Sequence, residues 1–313
     1  MKRTVAGREA EEMIACLAAR GKGCGEIEAQ ARHIINDVRR DGDDALRRYA
    51  ERWDGVLPGQ SLQVTAGELA AARKSLGSQL RRSLTEAARN IRQFCEWQKP
   101  QSWTRERGGI ALGQTVIPLD SVGCYVPGGR YPLISSVLMT VIPAQVAGVK
   151  KIRVVSPNPS RQVLGVAAML GVRQFYRIGG AQSIAALAYG TQTVPRVDKV
   201  VGPGNAYVTA AKKLVAFDCA IDFLAGPTEA VILSESGNPE FIAADLVAQA
   251  EHDVEALVFF VTTSRKLGER VRDAVVRQAK GNPIAVASLQ KSSVVFISES
   301  RAQACEWVNR LAP

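Results

Sequence analysis

Five short passages bring together residue types that can do chemistry. Val122-Gly123-Cys124-Tyr125-Val126-Pro127-Gly128-Gly129-Arg130 runs an apolar stretch into glycines that permit close backbone approach. Tyr125 there offers a ring to stack and a hydroxyl to donate, although a plain strand-to-helix turn explains the passage equally well. Arg177-Ile178-Gly179-Gly180-Ala181-Gln182 places Gln182 in the first turn of a helix, where unpaired N–H groups and the dipole favour anions. Val201-Gly202-Pro203-Gly204-Asn205-Ala206 has the same form, with Asn205 at a helix N-cap, a place asparagine often holds for structural reasons alone. Leu224-Ala225-Gly226-Pro227-Thr228-Glu229 sets another polar side chain, Thr228, at a strand boundary. None of the four is a GxGxxG fingerprint, so a standard dinucleotide site does not follow from them. Four such loops in one chain do favour a small-molecule site at the ends of strands.

The fifth passage lies on a helix. Asn238-Pro239-Glu240 reads as N-cap, N1 proline and first-turn acid. Asp245, Gln249 and His252 then fall at i, i+4 and i+7 on one helical face, so Gln249 and His252 could reach one metal ion. An amide oxygen with an imidazole suits a borderline cation such as Zn²⁺, with two more ligands required from elsewhere. A surface helix end whose histidine faces the C-terminal dipole accounts for the same spacing. The other histidine of the chain, His33, lies in a charged helical run and reads as exposed. Cys124 as a thiol nucleophile would need a basic neighbour that its strand does not supply.

The elements that must hold these residues follow from periodicity. Ile27, Ala31, Ile34, Ile35 and Val38 recur at helical spacing, as do Leu69, Ala72, Leu76, Leu80, Leu84 and Ile91, so the first hundred or so residues read as helical. Asp54-Gly55-Val56-Leu57-Pro58-Gly59 is a turn, and the glycine-rich stretch 107–113 a short hairpin or crossing. From Val122 onward, strands at 122–126, 152–156, 175–178, 199–201, 230–233, 257–262 and 294–297 alternate with helices at 135–147, 163–170, 181–189, 206–215, 239–251 and 267–280. That alternation predicts an α/β fold with parallel sheets covered by helices on both faces.

Composition narrows the function classes. The chain of 313 residues is long enough for two domains, and its hydrophobic content of 46% allows a substantial core. No apolar run is long enough to span a membrane and no secretory leader is legible, so the expectation is a cytoplasmic protein with no membrane partner. Six scattered cysteines without CxxC spacing read as reduced thiols. The formal charge of +10 is spread among acids along the helices rather than gathered in a tract, which argues against a nucleic-acid partner.

Taken together, the segments Tyr125–Arg130, Arg177–Gln182, Val201–Asn205, Ala225–Glu229 and Gln249–His252 resemble, in order and spacing, the histidinol dehydrogenase family. The resemblance implies oxidation of L-histidinol to L-histidine through the aldehyde, the last steps of histidine biosynthesis, with two NAD⁺ and one Zn²⁺ per site. By position it implies that Tyr125, Gln182 and Asn205 contact NAD, that Thr228 touches substrate, and that Gln249 and His252 are two of four zinc ligands that also meet the substrate. The implied fold is two Rossmann-like domains, one inserted into the other, with N-terminal helices: residues 1–120 plus 229–313, and an insert at 121–228 that contacts NAD. The implied assembly is a homodimer. A related zinc- and NAD-dependent dehydrogenase acting on another small polyol, or a truncated non-catalytic remnant, are the alternatives.

In that family a Glu-His pair, water activator and general base, would directly follow Asn309-Arg310-Leu311-Ala312-Pro313. The two remaining zinc ligands would lie further on. The expectation from the resemblance is therefore a fragment with no catalytic base within the sequence, which binds zinc weakly and does not turn over histidinol.

Overall fold

The computed structural model describes residues 3–19, 25–128, 133–224, 229–291 and 293–313. The chain divides into two compact units, Gly25–Ala225 and Met1–Cys24 together with Gly226–Pro313. It opens with β1 (Arg3–Ala6) and α1 (Gly7–Ala18) of the latter unit. The middle unit begins with helices α2 (Gly25–Asp41), α3 (Asp43–Trp53), α4 (Ala66–Lys74) and α5 (Ser78–Gln98), then the hairpin of β2 (Trp103–Arg107) and β3 (Ile110–Gln114). Alternation follows through β4 (Ser121–Tyr125), α6 (Ile134–Val146), β5 (Lys151–Val155), α7 (Arg161–Met169), β6 (Gln174–Tyr176), α8 (Gly180–Tyr189), β7 (Lys199–Val201), α9 (Ala206–Val215) and β8 (Ala220–Ile221). The chain then completes the unit that β1 and α1 opened with β9 (Glu229–Leu233), α10 (Pro239–Ala250), β10 (Leu257–Thr262), α11 (Arg265–Gln278), α12 (Pro283–Lys291), β11 (Val294–Ile297) and α13 (Arg301–Leu311).

The middle unit is built on a five-stranded parallel sheet of order β6-β5-β4-β7-β8. Both faces are covered. Val122, Cys124 and Val126 pack into one core with Val137, Ile142, Val163 and Phe175. Tyr125, Val155 and Tyr176 pack into the other with Ile184 and Leu187 of α8 and with Ile34, Val38 and Leu46 of α2 and α3. Burial on two faces is why these strands read in the sequence as continuous apolar runs.

The helices of residues 25–98 do not group with the segment after 229 but pack on the middle sheet, α2 against α8 and α9, α4 against α7, and α5 against α6. Their apolar stripes are satisfied there. The α4–α7 crossing is so close that a Cβ on Gly165 would lie 2.8 Å from the Ala72 carbonyl oxygen. Of the early segment, β1 and α1 do join the later residues.

That second unit carries a four-stranded parallel sheet of order β1-β11-β10-β9. One face is filled from α10, α11 and α12 by Leu246, Val271, Val275 and Leu289, the other from α1 and α13 by Ile14 and Trp307. Trp307 is fully buried, and its indole N–H donates to Glu11 Oε1 at 2.6 Å. The start of α10 is as its sequence requires: the Asn238 side chain accepts from the Glu240 N–H at 3.0 Å, and Pro239 follows the cap. Among the described residues no helix is long and apolar enough to cross a membrane.

Candidate functional site

In the middle sheet the chain moves from β4 outward through β5 to β6, then returns to the other side of β4 with β7. The strand order reverses between β4 and β7, and a crevice at the carboxyl end of such a reversal is where open α/β sheets receive ligands. Two of the glycine-bearing passages end there. Tyr125 closes β4, and Gly202, with φ +111°, follows β7 so tightly that a Cβ on it would fall 2.2 Å from the Tyr125 carbonyl oxygen. The third passage, after β6, lies two strands away on the same sheet edge. A Cβ on Gly179 would meet the Pro157 ring at 2.6 Å, so it too is stripped of a side chain for packing.

Tyr125 and Gln182 are brought together by a residue the sequence reading passed over. Asp54 ends α3, 4% exposed, and its Oδ2 accepts the Gly179 N–H at 2.9 Å and the Gln182 amide at 3.0 Å. The Tyr125 hydroxyl accepts the Gly180 N–H at 3.3 Å. The first turn of α8 is therefore not a vacant anion site: Asp54 and Tyr125 already hold two of its N–H groups. Burial raises the Asp54 carboxyl to about 6, against the opposing pull of the Gly179 and Gln182 hydrogen bonds. Burial, reinforced by the nearby Asp54 charge, also pushes the Tyr125 hydroxyl up to about 12, so it stays protonated. Gln182 is only 1% exposed, and its amide nitrogen is committed to Asp54.

Asn205 caps α9, its Oδ1 accepting from the Tyr207 and Val208 N–H groups at 3.1 Å each. It is exposed, beyond the carboxyl end of β7. Cys124 is fully buried and burial pushes its thiol to about 12, which removes it as a nucleophile. His33 is exposed, 3.6 Å from Asp37. Thr228 lies outside the described residues.

Gln249 and His252 belong to the other unit. Here the helical-face argument is corrected in part: α10 ends at Ala250, and Glu251 is its C-cap, so only Asp245 and Gln249 share a regular face. His252 sits just beyond, in a tighter last turn where its N–H reaches the Gln249 carbonyl at 3.4 Å. The side-chain amide nitrogen of Gln249 is buried without a hydrogen-bond partner. A buried polar atom without a partner is uncommon in a folded chain. An orphaned amide one turn from an exposed imidazole fits two donors of a metal set. Among the described residues no group of three His, Cys, Asp or Glu completes one.

A doubly covered parallel sheet with glycine-stripped loops on both sides of its strand reversal defines a Rossmann-like α/β enzyme. Comparison with known proteins makes this particular. A family model described as histidinol dehydrogenase matches residues 19–313. The chain is 49% identical over 292 residues to a histidinol dehydrogenase of Geobacillus kaustophilus, covering 90% of this chain and 68% of that relative. It is 42% identical over 308 residues to the Aquifex aeolicus enzyme of the same name, covering 96% and 72%. The crystal structure of histidinol dehydrogenase from Elizabethkingia anophelis superposes with a TM-score of 0.90 at 31% identity, over 99% of this chain and 74% of that one. The chain belongs to the histidinol dehydrogenase family, and is thus of a dehydrogenase, oxidoreductase lineage.

Proposed function

We propose that these residues serve the oxidation of L-histidinol to L-histidine through L-histidinaldehyde, with reduction of two NAD⁺ and one Zn²⁺ per site. Membership of the family supports the reaction, and the observation that carries the cofactor reading is the strand reversal between β4 and β7, flanked by Tyr125 and Gly202–Asn205. NAD⁺ supplies a hydride acceptor in each of the two oxidations. In this reading Tyr125 contributes a protonated hydroxyl and a ring beside the cofactor, and Asn205 offers its exposed amide while its oxygen caps α9. Gln182 holds its place through Asp54 and lines the β6 side of the cofactor site. The family resemblance assigns Thr228 to the substrate.

Zinc, when bound, would supply a Lewis acid that orients the substrate. Gln249 and His252 would provide two of its donors, and the orphaned amide of Gln249 supports their assignment. The protein acts as a homodimer in this reading, in the cytoplasm. The hairpin of β2 and β3 exposes Trp103, Ile110 and Leu112, a surface that such a dimer would cover. A two-stranded hairpin alone is marginally stable in water.

Calorimetric titration of the zinc-loaded protein with NAD⁺ and with L-histidinol tests the reading. Both are expected to bind, histidinol only with zinc present, and a small polyol without an imidazole is expected not to bind. Failure of both ligands, or preference for the polyol, overturns it. His252→Ala is expected to weaken zinc at least about tenfold in competition with a chromophoric chelator, because the imidazole is the stronger of the two donors. Unchanged zinc affinity would remove His252 from the ligand set.

A further inference from the structure

Lys212 is 1% exposed on α9, an unusual place for an ammonium group. Its Nζ donates to the Gly202 carbonyl at 3.0 Å and pairs directly with Asp222 Oδ1. Asp222, the residue after β8, accepts the Gly202 N–H on Oδ2 at 2.7 Å and the Phe223 N–H on Oδ1 at 2.7 Å. The two charged side chains thus hold the N–H and the C=O of one residue. That residue is the glycine whose backbone lies against the Tyr125 peptide at the strand reversal. The Lys212 ammonium also lies 5.2 Å from the centre of the Phe223 ring.

Stability alone does not account for this arrangement. A buried ammonium and a partly buried carboxylate lose hydration that their mutual attraction only partly returns, and an apolar pair of similar volume commonly serves a fold as well or better. What an apolar pair cannot do is fix the orientation of a particular peptide. The Gly202 peptide leads through Pro203 and Gly204 to the Asn205 cap, so its orientation sets where α9 begins relative to the end of β4. Glycine offers no side chain with which to hold itself, and its φ of +111° is a conformation that nothing local selects.

We propose that Lys212 and Asp222 are positioning residues for cofactor binding, clamping the Gly202 peptide so that the crevice expected at the β4–β7 strand reversal keeps the backbone orientation NAD requires. The inference rests on the reading of that crevice as the NAD site. Neither side chain need touch the cofactor. Their effect passes through the backbone of Gly202 to Tyr125 on one side and Asn205 on the other.

The test compares wild type with the double variant K212M/D222N, which removes both charges together and leaves no lone buried ion. The amide oxygen introduced by Asp222→Asn can still accept from the Gly202 N–H, while Lys212→Met releases the Gly202 carbonyl. NAD⁺ affinity is read by calorimetry, with circular dichroism and Tm as folding controls and zinc affinity as a control in the other unit. The expected result is an NAD⁺ Kd raised at least about tenfold, with Tm within a few degrees of wild type and zinc affinity unchanged. Should the double variant fail to fold, Asp222→Glu decides the matter: it keeps the ion pair but shifts the carboxylate by one methylene, and the same rise in Kd is expected. A folded variant with wild-type NAD⁺ affinity overturns the positioning role while leaving the cofactor reading intact. If wild type itself binds no NAD⁺, the cofactor reading falls and the proposal falls with it.

Discussion

Gly202→Ala is expected to destabilise the middle unit by at least about 3 kcal/mol and to abolish NAD⁺ binding. Two costs combine. The backbone at φ +111° disfavours any residue with a Cβ. The added carbon would also lie 2.2 Å from the Tyr125 carbonyl oxygen and 3.1 Å from its carbonyl carbon. Those atoms belong to a central strand paired on both sides, so no rotamer change relieves the overlap, and β4 and β7 must part. Gly55→Ala is the control. Gly55 has φ +69°, and a Cβ there would find its nearest neighbour, Asn158 Cγ, at 3.7 Å. Conformational strain alone remains in that case, about 1 kcal/mol. Thermal and urea unfolding of the two variants measures the difference, and equal losses would show that the β4–β7 contact is not tight.

The parts of this fold that were legible in the sequence are those whose physics is local. Strands β4, β5, β7, β9, β10 and β11 stand within a residue of their expected positions, because each is a short, largely apolar run bounded by turn residues. The glycine-rich stretch 107–113 is a hairpin, turned by Gly108 and Gly109, both at positive φ. Two strands gave no pattern to read. β8 has two residues, and β1, Arg-Thr-Val-Ala, is an edge strand whose pairing with β11 spans nearly the whole chain. Helices α12 and α13 were also unmarked.

That the helices of residues 25–98 group with the middle unit was not legible either. Amphipathic stripes such as Ile34, Ile35 and Val38 announce a buried face but not the sheet that buries it. The candidate site divides along the same line. Tyr125, Gln182 and Asn205 could be singled out from glycine-bearing strand ends. Asp54 appeared only as the first residue of a turn, and its partners Gly179 and Gln182 lie 125 and 128 residues away. Lys212, within a helix that also carries Lys213, looks like an ordinary solvated lysine until α9 is set against β7. A buried acid or base declares itself in sequence only when its partner is a near neighbour, and neither of these is.

Asp54→Asn is expected to stabilise the protein by about 3 kcal/mol above pH 6, a gain that vanishes in acid. The folded carboxyl titrates at about 6, above its ordinary value, because burial disfavours the anion. Between about pH 4 and pH 6 the native state therefore keeps a proton that the unfolded chain has released, and wild-type stability falls as pH rises through that window. Below it the two forms are equally protonated, and above it the whole cost of a buried carboxylate is present. Both N–H donors converge on the single oxygen Oδ2, so the amide oxygen of asparagine can accept from Gly179 and Gln182 together. The variant thus keeps the geometry that positions Gln182 and loses only the charge. Its Tm is expected to exceed that of wild type by several degrees at pH 8, to converge with it near pH 4, and to leave NAD⁺ affinity unchanged. Asp54→Ala separates the two roles, since it removes the charge and the acceptor alike. With the Gly179 N–H and the Gln182 amide left without a partner in a buried site, it is expected to gain nothing at pH 8 and to weaken NAD⁺ binding. If Asp54→Asn is instead less stable than wild type at pH 8, the carboxylate is stabilised there by more than these two bonds, and the raised titration of Asp54 is refuted.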